Sequence, residues 1–570
     1  MKLAFEKERQ KVKQMFCSPT KPQILELVAA VACGLLCSIL CTMGHPWLAS
    51  MVPMAMLIRP YRYSKNILWP IVWVGAALAA VMMLEPVVDA YYTTWFFPLY
   101  KALGLGVLLS LAITPHFMAW LKRQGRQAER ARQDNSRPKF PAFYFFVAML
   151  VPLLCAWASK GPYLESFDLA YELEMLRGET PLNDVHTMAH TFLLWLCAGN
   201  PVVLVGLQIF ALALLLTVFA AWFYRQGMGL FCIGATFSMF SLCGTVTELA
   251  VSPIKDLPAA LCMGVVLYYS MRLLVNDLQW HWGHRLAFGS ALAFTGLLRH
   301  NGYVLVLAAG VWLLFRAMRQ KQLFAVLASG VVCIVLVNAI GYGILHAQSP
   351  NNGFSVQVYA TGIVAVERRG GDITEAQRQR MKELLPMDYV EACLSNPETE
   401  GRTLAQRLCW IRDLGQYLPS EEEQAFAPLL QDENGTNDVF NNLFILAAGE
   451  HKTEIITLYF ELFLQNPWLC TTEIIRNTTT IWRLERGLAL FSHVFYLIGI
   501  LAAFVGIGKK KMLRFWPVLL PIGCNVASVV VAASTNELRY LLPTFLLAAP
   551  AVLFFGLQSS QPTSSEEQPQ

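Results

Sequence analysis

Residues 201–223, PVVLVGLQIFALALLLTVFAAWF, carry no charged side chain and are long enough to cross the hydrocarbon of a bilayer as a helix. Runs of this kind recur at 24–42, 46–58, 67–84, 97–120, 140–158, 201–223, 228–247, 257–275, 286–298, 302–315, 322–345, 488–507, 513–533 and 540–556. A backbone inside a bilayer has no water to bond, so each run predicts a helix that satisfies its own amides. Several runs fall short of a perpendicular span, and the expected count is about 12–14 transmembrane helices. The fold class is therefore an all-α polytopic membrane protein. Charged residues make up only 15% of the 570 positions, too few to solvate a globule of this size. The formal net charge is +5, and no tract interleaves Lys or Arg with aromatics, so no nucleic-acid partner is expected.

Loop charge sets the orientation, because Lys and Arg in short loops resist translocation. Arg59, Arg62 and Lys65 mark one inner loop, and Lys122, Arg123, Arg126, Arg130, Arg132, Arg137 and Lys139 a second. Arg225 marks a third, Arg316, Arg319 and Lys321 a fourth, and Lys509, Lys510, Lys511 and Arg514 a fifth. With a cytoplasmic N-terminus, alternate counting puts all of these inside. The same count puts residues 85–95, 159–200, 248–256, 299–301 and 346–487 outside. The chain then divides into a basic cytoplasmic N-terminus (1–23), an N-terminal transmembrane extension (24–139) and a transmembrane core (140–345) with outer loop 159–200. A small, mostly helical extracytoplasmic region (346–487), C-terminal spans (488–557) and a disordered cytoplasmic tail (558–570) follow. The first apolar run begins at Ile24 with no small-residue cleavage site and reads as an uncleaved helix. Cys393 and Cys409 lie in the polar region as a candidate disulfide whose connectivity spacing alone leaves open.

The outer loop GPYLESFDLAYELEMLRGETPLNDVHTMAHT concentrates ionisable residues close to lipid. Glu165, Asp168 and Glu172 are spaced to share one helical face, and Gly178 is the expected helix stop. Asp184, His186 and His190 follow, the two histidines at helical spacing in HTMAHTFLLWL, which reads as a second short helix against the membrane before Pro201. A plain reading is a solvated loop. The functional reading is a carboxylate that abstracts a proton, with histidines as hydrogen-bond partners or metal ligands. Other outer segments add Lys255 and Asp256 in SPIKDLPAAL, Arg299, His300 and Asn301 in LLRHNGYVL, and Glu537, Arg539 and Tyr540 in STNELRYLLP. Taken singly these are interfacial anchors and turn residues. Taken together, Lys255, Arg299, His300 and Arg539 supply cationic donors suited to a phosphate at the membrane surface. Carboxylates on one loop and cations on helix ends suit one chemistry: an acceptor hydroxyl loses its proton while a lipid phosphate departs.

The landmarks SFD at 166–168, NDVHTMAHT at 183–191, IKD at 254–256, LLRHNGY at 297–303, FSVQVYATG at 354–362, NPW at 466–468 and ELRYLLP at 537–543 run in order along the chain. In this set the chain resembles GT-C-type bacterial membrane glycosyltransferases, of the dolichyl-phosphate-mannose-transferase-like multi-pass kind. The resemblance implies a GT-C-like bundle with a re-entrant or juxtamembrane first outer loop, a polyprenyl-phosphate sugar as donor, and a glycan, lipid or protein as acceptor. It implies Asp168 as catalytic base, with Arg299, His300 and Arg539 facing the lipid phosphate. Many relatives carry a second acid after the first, whereas Leu169 follows Asp168 here. A divalent cation, Mg or Mn, is the cofactor that the resemblance admits, with Glu165, Glu172, Asp184, His186 and His190 as supporting or metal-facing groups. The expected site is extracytoplasmic on a bacterial plasma membrane. Two other classes remain open: an oligosaccharide polymerase or ligase using a polyprenyl-diphosphate donor, and a transporter or flippase. Transporters usually show repeated halves and ionisable groups at the bilayer midplane, a pattern this sequence lacks.

Overall fold

The computed structural model describes residues 23–25, 28, 139–164, 167–184, 187–241, 244–347, 356–395, 404–409, 449–479, 513–532 and 538–559. The expected spans between 29 and 138 and at 488–507, the basic N-terminus and the C-terminal tail lie outside these residues, as does the Cys409 side chain of the candidate disulfide.

Every regular element among the described residues is helical. Six helical segments are long and apolar enough to cross a membrane: Ala142–Lys160, Pro201–Arg225, Asp256–Leu274, His300–Ala317, Gln322–Ile344 and Arg539–Gln558. The first of these is α1 (Ala142–Lys160); α2 (Phe167–Arg177) and α3 (Met188–Leu196) are the short helices of the loop that follows. Gly178 ends α2 at φ 74°, the left-handed conformation that a Cβ disfavours. Asn200 then caps α4 (Pro201–Arg225) by accepting from the Val202 amide, with Pro201 at the first helical position.

The run expected at 228–247 forms two helices, α5 (Leu230–Ser241) and α6 (Gly244–Ala250). It is followed by α7 (Asp256–Leu274) and α8 (Trp282–Leu298), then a 3-10 turn (His300–Gly302) and α9 (Tyr303–Ala317). Next, α10 (Gln322–Asn338) widens into a π-helical turn at Ala339–Ile344. After the helices between residues 357 and 479 come α17 (Leu520–Ala532), a 3-10 turn (Leu538–Leu541) and α18 (Leu542–Ser559).

The core forms around α7 and α18, which pack on each other and on α4, α8 and α17. The Arg539–Gln558 segment is 94% buried across its apolar window, whereas Ala142–Lys160 and Gln322–Ile344 are each 17% buried and turn valines, leucines and aromatics outward. That split identifies centre and rim, since a rim helix in lipid needs no polar face. Helix α8 packs along α10. A Cβ on Gly289 would lie 2.2 Å from the Val326 carbonyl, so only glycine permits this approach.

A second core belongs to α11 (Gln357–Arg368), α12 (Glu375–Leu384), α13 (Met387–Ser395), α14 (Leu404–Cys409), α15 (Lys452–Gln465) and α16 (Pro467–Thr479). Thr374 and Gln377 form a reciprocal capping box on α12. Helix α15 turns Ile455, Leu458, Tyr459 and Leu462 into this core and leaves Phe460 and Leu464 exposed. Burial pushes the Cys470 thiol up to about 11, with Glu473 adding to the effect. Helix α16 packs on α17 and joins this unit to the membrane helices.

Candidate functional site

At one end of the membrane helices, six segments meet: α2, the α2–α3 loop, the start of α7, the α8–α9 turn, the π turn after α10, and the 3-10 turn before α18. Basic residues of the loops read as inner belong to the opposite ends. Arg225 closes α4, Arg316 lies in the last turn of α9, and Arg514 donates to the Leu274 carbonyl at the end of α7 over 2.7 Å.

Asp168 lies in the first turn of α2, where the helix dipole favours a negative group. Its Oδ2 accepts from Arg539 Nη1 at 2.9 Å and stands 4.0 Å from Lys255 Nζ. All three side chains are largely buried, at 13%, 19% and 18% exposure for Asp168, Arg539 and Lys255. Lys255 is the residue before α7, and Arg539 sits in the 3-10 turn before α18. One carboxylate from the loop thus meets cations from two distant parts of the chain.

Beside this group lies a second, more deeply buried one. Asp256 is fully buried and Arg299 Nη1 is 3.1 Å from its Oδ1. The contact is an ion pair by distance, with the N–H off line, since neither Asp256 oxygen has a hydrogen bond of good geometry. Arg299 Nη1 also donates to the Tyr540 carbonyl at 3.3 Å, and its guanidinium lies 5.1 Å from the Tyr540 ring centre. Arg539 approaches the same ring at 5.4 Å. Asn525 of α17 donates to the Tyr540 carbonyl at 3.2 Å and to Thr544 at 2.9 Å.

The remaining described candidates have other partners. Glu172, one turn after Asp168, accepts from or pairs with His190 Nδ1 at 2.7 Å, both side chains 1% exposed. Asp184 caps α3: its Oδ1 accepts from the Met188 amide at 2.9 Å, and its Oδ2 accepts from the Tyr342 hydroxyl at 2.9 Å. His300 Nε2 lies 3.0 Å from the Asp184 carbonyl and 3.8 Å from its Oδ2. Thr187 donates to the Leu298 carbonyl at 2.9 Å and fixes α3 to the end of α8. Asn301 is half-buried in the turn beside His300. On the far side of the loop, Lys160 and Glu248 pair at 2.7 Å. Glu165, His186 and Glu537 lie outside the described residues.

Two contributors were not among the residues singled out in the sequence. Tyr342 sits in an apolar run, flanked by Gly341 and Gly343, and reaches Asp184 from the π turn. Asn525 is a lone amide in an otherwise apolar run; an amide at membrane depth needs partners, and that was the available signal.

The described residues offer no ligand set for a divalent cation, and Glu165 and His186 lie outside them. No group of three His, Cys, Asp or Glu among the described residues is arranged to hold a metal ion. Asp168 instead faces a guanidinium and an ammonium, and these fill the electrostatic place that a cation would take. What the arrangement offers is an anionic acceptor of protons beside cationic donors for a second anion.

No protein-family model matches the chain, and no curated protein and no solved structure matches it either.

Proposed function

We propose that this chain is a GT-C-type glycosyltransferase that moves a sugar from a polyprenyl phosphate to a hydroxyl of a wall polymer, glycolipid or protein at the outer face of a bacterial plasma membrane. The observation that carries the reading is the contact of Asp168 with Arg539 and Lys255 at the ends of membrane helices. A donor with a polyprenyl tail keeps that tail in lipid, so its phosphate lies at the depth where helices begin and end. Phosphate and carboxylate then compete for the same two cations.

The chemistry is a displacement at the anomeric carbon. The acceptor oxygen forms the new bond to that carbon as the bond to the phosphate oxygen breaks, inverting the configuration. Asp168 takes the hydroxyl proton. Arg539 and Lys255 stabilise the charge that collects on the departing polyprenyl phosphate, and their withdrawal from Asp168 leaves the carboxylate as the proton's acceptor. Glu172 and Asp184 are less suited to this role, one buried against His190 and the other spent on a helix cap and a tyrosine. No step is routed through a metal.

Placement also favours an enzyme over a transporter. Asp168, Lys255, Asp256, Arg299 and Arg539 all sit at helix ends or in loops, whereas transport sites gather near the bilayer midplane.

The test supplies membranes containing the protein with a panel of polyprenyl-phosphate hexoses and pentoses and follows label into acceptor. Asp168→Asn should insert at the level of the wild type and lose about a hundredfold or more in transfer rate. Full retention of activity would remove Asp168 as the base.

A further inference from the structure

The resemblance places Arg299 at the donor phosphate, but its surroundings argue for a different task. Its side chain is 6% exposed beside an Asp256 that is fully buried. A guanidinium cannot shed its proton, so turning it toward a phosphate would leave the Asp256 carboxylate buried without compensation. Both partners of Arg299 are chain neighbours of the cations on Asp168. Asp256 follows Lys255, and Tyr540 follows Arg539. Consecutive Cα atoms are separated by a fixed distance of about 3.8 Å, so whatever fixes Asp256 and Tyr540 restricts Lys255 and Arg539.

We infer that Arg299 is a positioning residue: by tying Asp256 at the start of α7 to Tyr540 before α18, it sets the spacing of Lys255 and Arg539 around Asp168. The tie has three contacts, at 3.1 Å to Asp256, 3.3 Å to the Tyr540 carbonyl and 5.1 Å to the Tyr540 ring. Asn525 holds the same carbonyl from α17, so Tyr540 is fixed from two sides. Nη1 alone serves the carboxylate and the carbonyl, and the broad, weakly hydrated guanidinium behind it covers the ring, a contact that the compact ammonium of lysine makes less well. The consequence for sugar transfer rests on the function proposed above; the geometry of the tie does not.

The experiment uses the full chain in lipid nanodiscs and a water-soluble carbodiimide, which couples carboxylates to lysine amines in direct contact. Mass spectrometry reads two adducts. Asp168–Lys255, 4.0 Å apart, reports the site, and Lys160–Glu248, 2.7 Å apart and without contact to Arg299, reports an intact fold. In Arg299→Gln the Asp168–Lys255 adduct should fall by about tenfold, because an unpaired buried carboxylate drives the start of α7 to rearrange. The Lys160–Glu248 adduct should persist. Arg299→Lys restores the charge beside Asp256 without the guanidinium over the Tyr540 ring, and should recover part of the site adduct. An unchanged site adduct in Arg299→Gln overturns the inference, as does failure of the wild type to form it. Where Arg299→Gln loses both adducts, Arg299→Lys decides. A site yield equal to the wild type overturns the inference, and a reduced yield with the control intact supports it. Loss of the site adduct in a protein with no transfer activity would leave the positioning role standing and remove the glycosyltransferase. Transfer by the wild type with an unchanged adduct in Arg299→Gln would do the reverse.

Discussion

Asp168, Glu172 and Asp184 are the same chemical group within a short stretch of chain, and each meets a different partner. Asp168 and Glu172 share a face of α2, as their spacing implies, yet exposure falls from 13% to 1% along that single turn. Spacing fixes the face of a helix but not its tilt, and the tilt decides which carboxylate reaches the cations and which is sealed in. The Glu172–His190 pair is therefore a structural link between α2 and α3, and its removal should be felt in stability. His190→Ala leaves the Glu172 carboxylate buried without its partner, which is expected to cost about 3 kcal/mol. Replacing both, as Glu172→Met with His190→Leu, removes the stranded charge and should recover most of that loss. Thermal unfolding in nanodiscs measures it; a single variant as stable as the wild type would contradict the link.

Among the described elements, apolar runs locate membrane helices to within a few residues wherever the run is long. The run 257–275 becomes Asp256–Leu274, and 322–345 becomes Gln322–Ile344. Interruptions are harder to read. The run 228–247 divides into Leu230–Ser241 and Gly244–Ala250, and α8 begins at Trp282, ahead of the run at 286–298, because His284 and Arg285 are helical without being apolar. Close approach between helices is legible only as a glycine, and glycines have several uses. Gly289 and Gly310 look alike in sequence, each inside an apolar run. A Cβ on Gly289 would meet Ser329 Oγ at 1.9 Å and the Val326 carbonyl at 2.2 Å, whereas one on Gly310 meets nothing within 4 Å. Gly289→Ala should thus part α8 from α10 at a cost of about 1–3 kcal/mol, while Gly310→Ala should be neutral or slightly stabilising. Melting temperatures of the two variants in one lipid discriminate between these fates, and equal shifts would argue against the close crossing.

Loop charge groups the segments 159–200, 248–256 and 299–301 on one side of a membrane. In the structure residues from these segments are in direct contact: Asp168 with Lys255, Asp256 with Arg299, and Asp184 with His300. These two observations are independent, since one concerns translocation of Lys and Arg and the other side-chain packing. Their agreement places the site at one end of the helices. Sidedness matters to the proposed reaction, because an outer site receives polyprenyl-linked sugars that have already crossed, whereas an inner site competes for soluble activated sugars. Single cysteines at exposed positions settle it when the native cysteines are replaced. Glu179→Cys, in the loop beside α2, and Ala376→Cys, in α12, are expected to react with a membrane-impermeant maleimide on intact cells. Arg319→Cys, after α9, is expected to react only after the membrane is opened. Reaction of Arg319→Cys alone on intact cells would invert the orientation and remove the outer-face transferase. Reaction of Glu179→Cys together with Arg319→Cys would contradict the passage of α9 through the bilayer, and with it the placement of Lys255, Arg299 and Arg539 at a single membrane face.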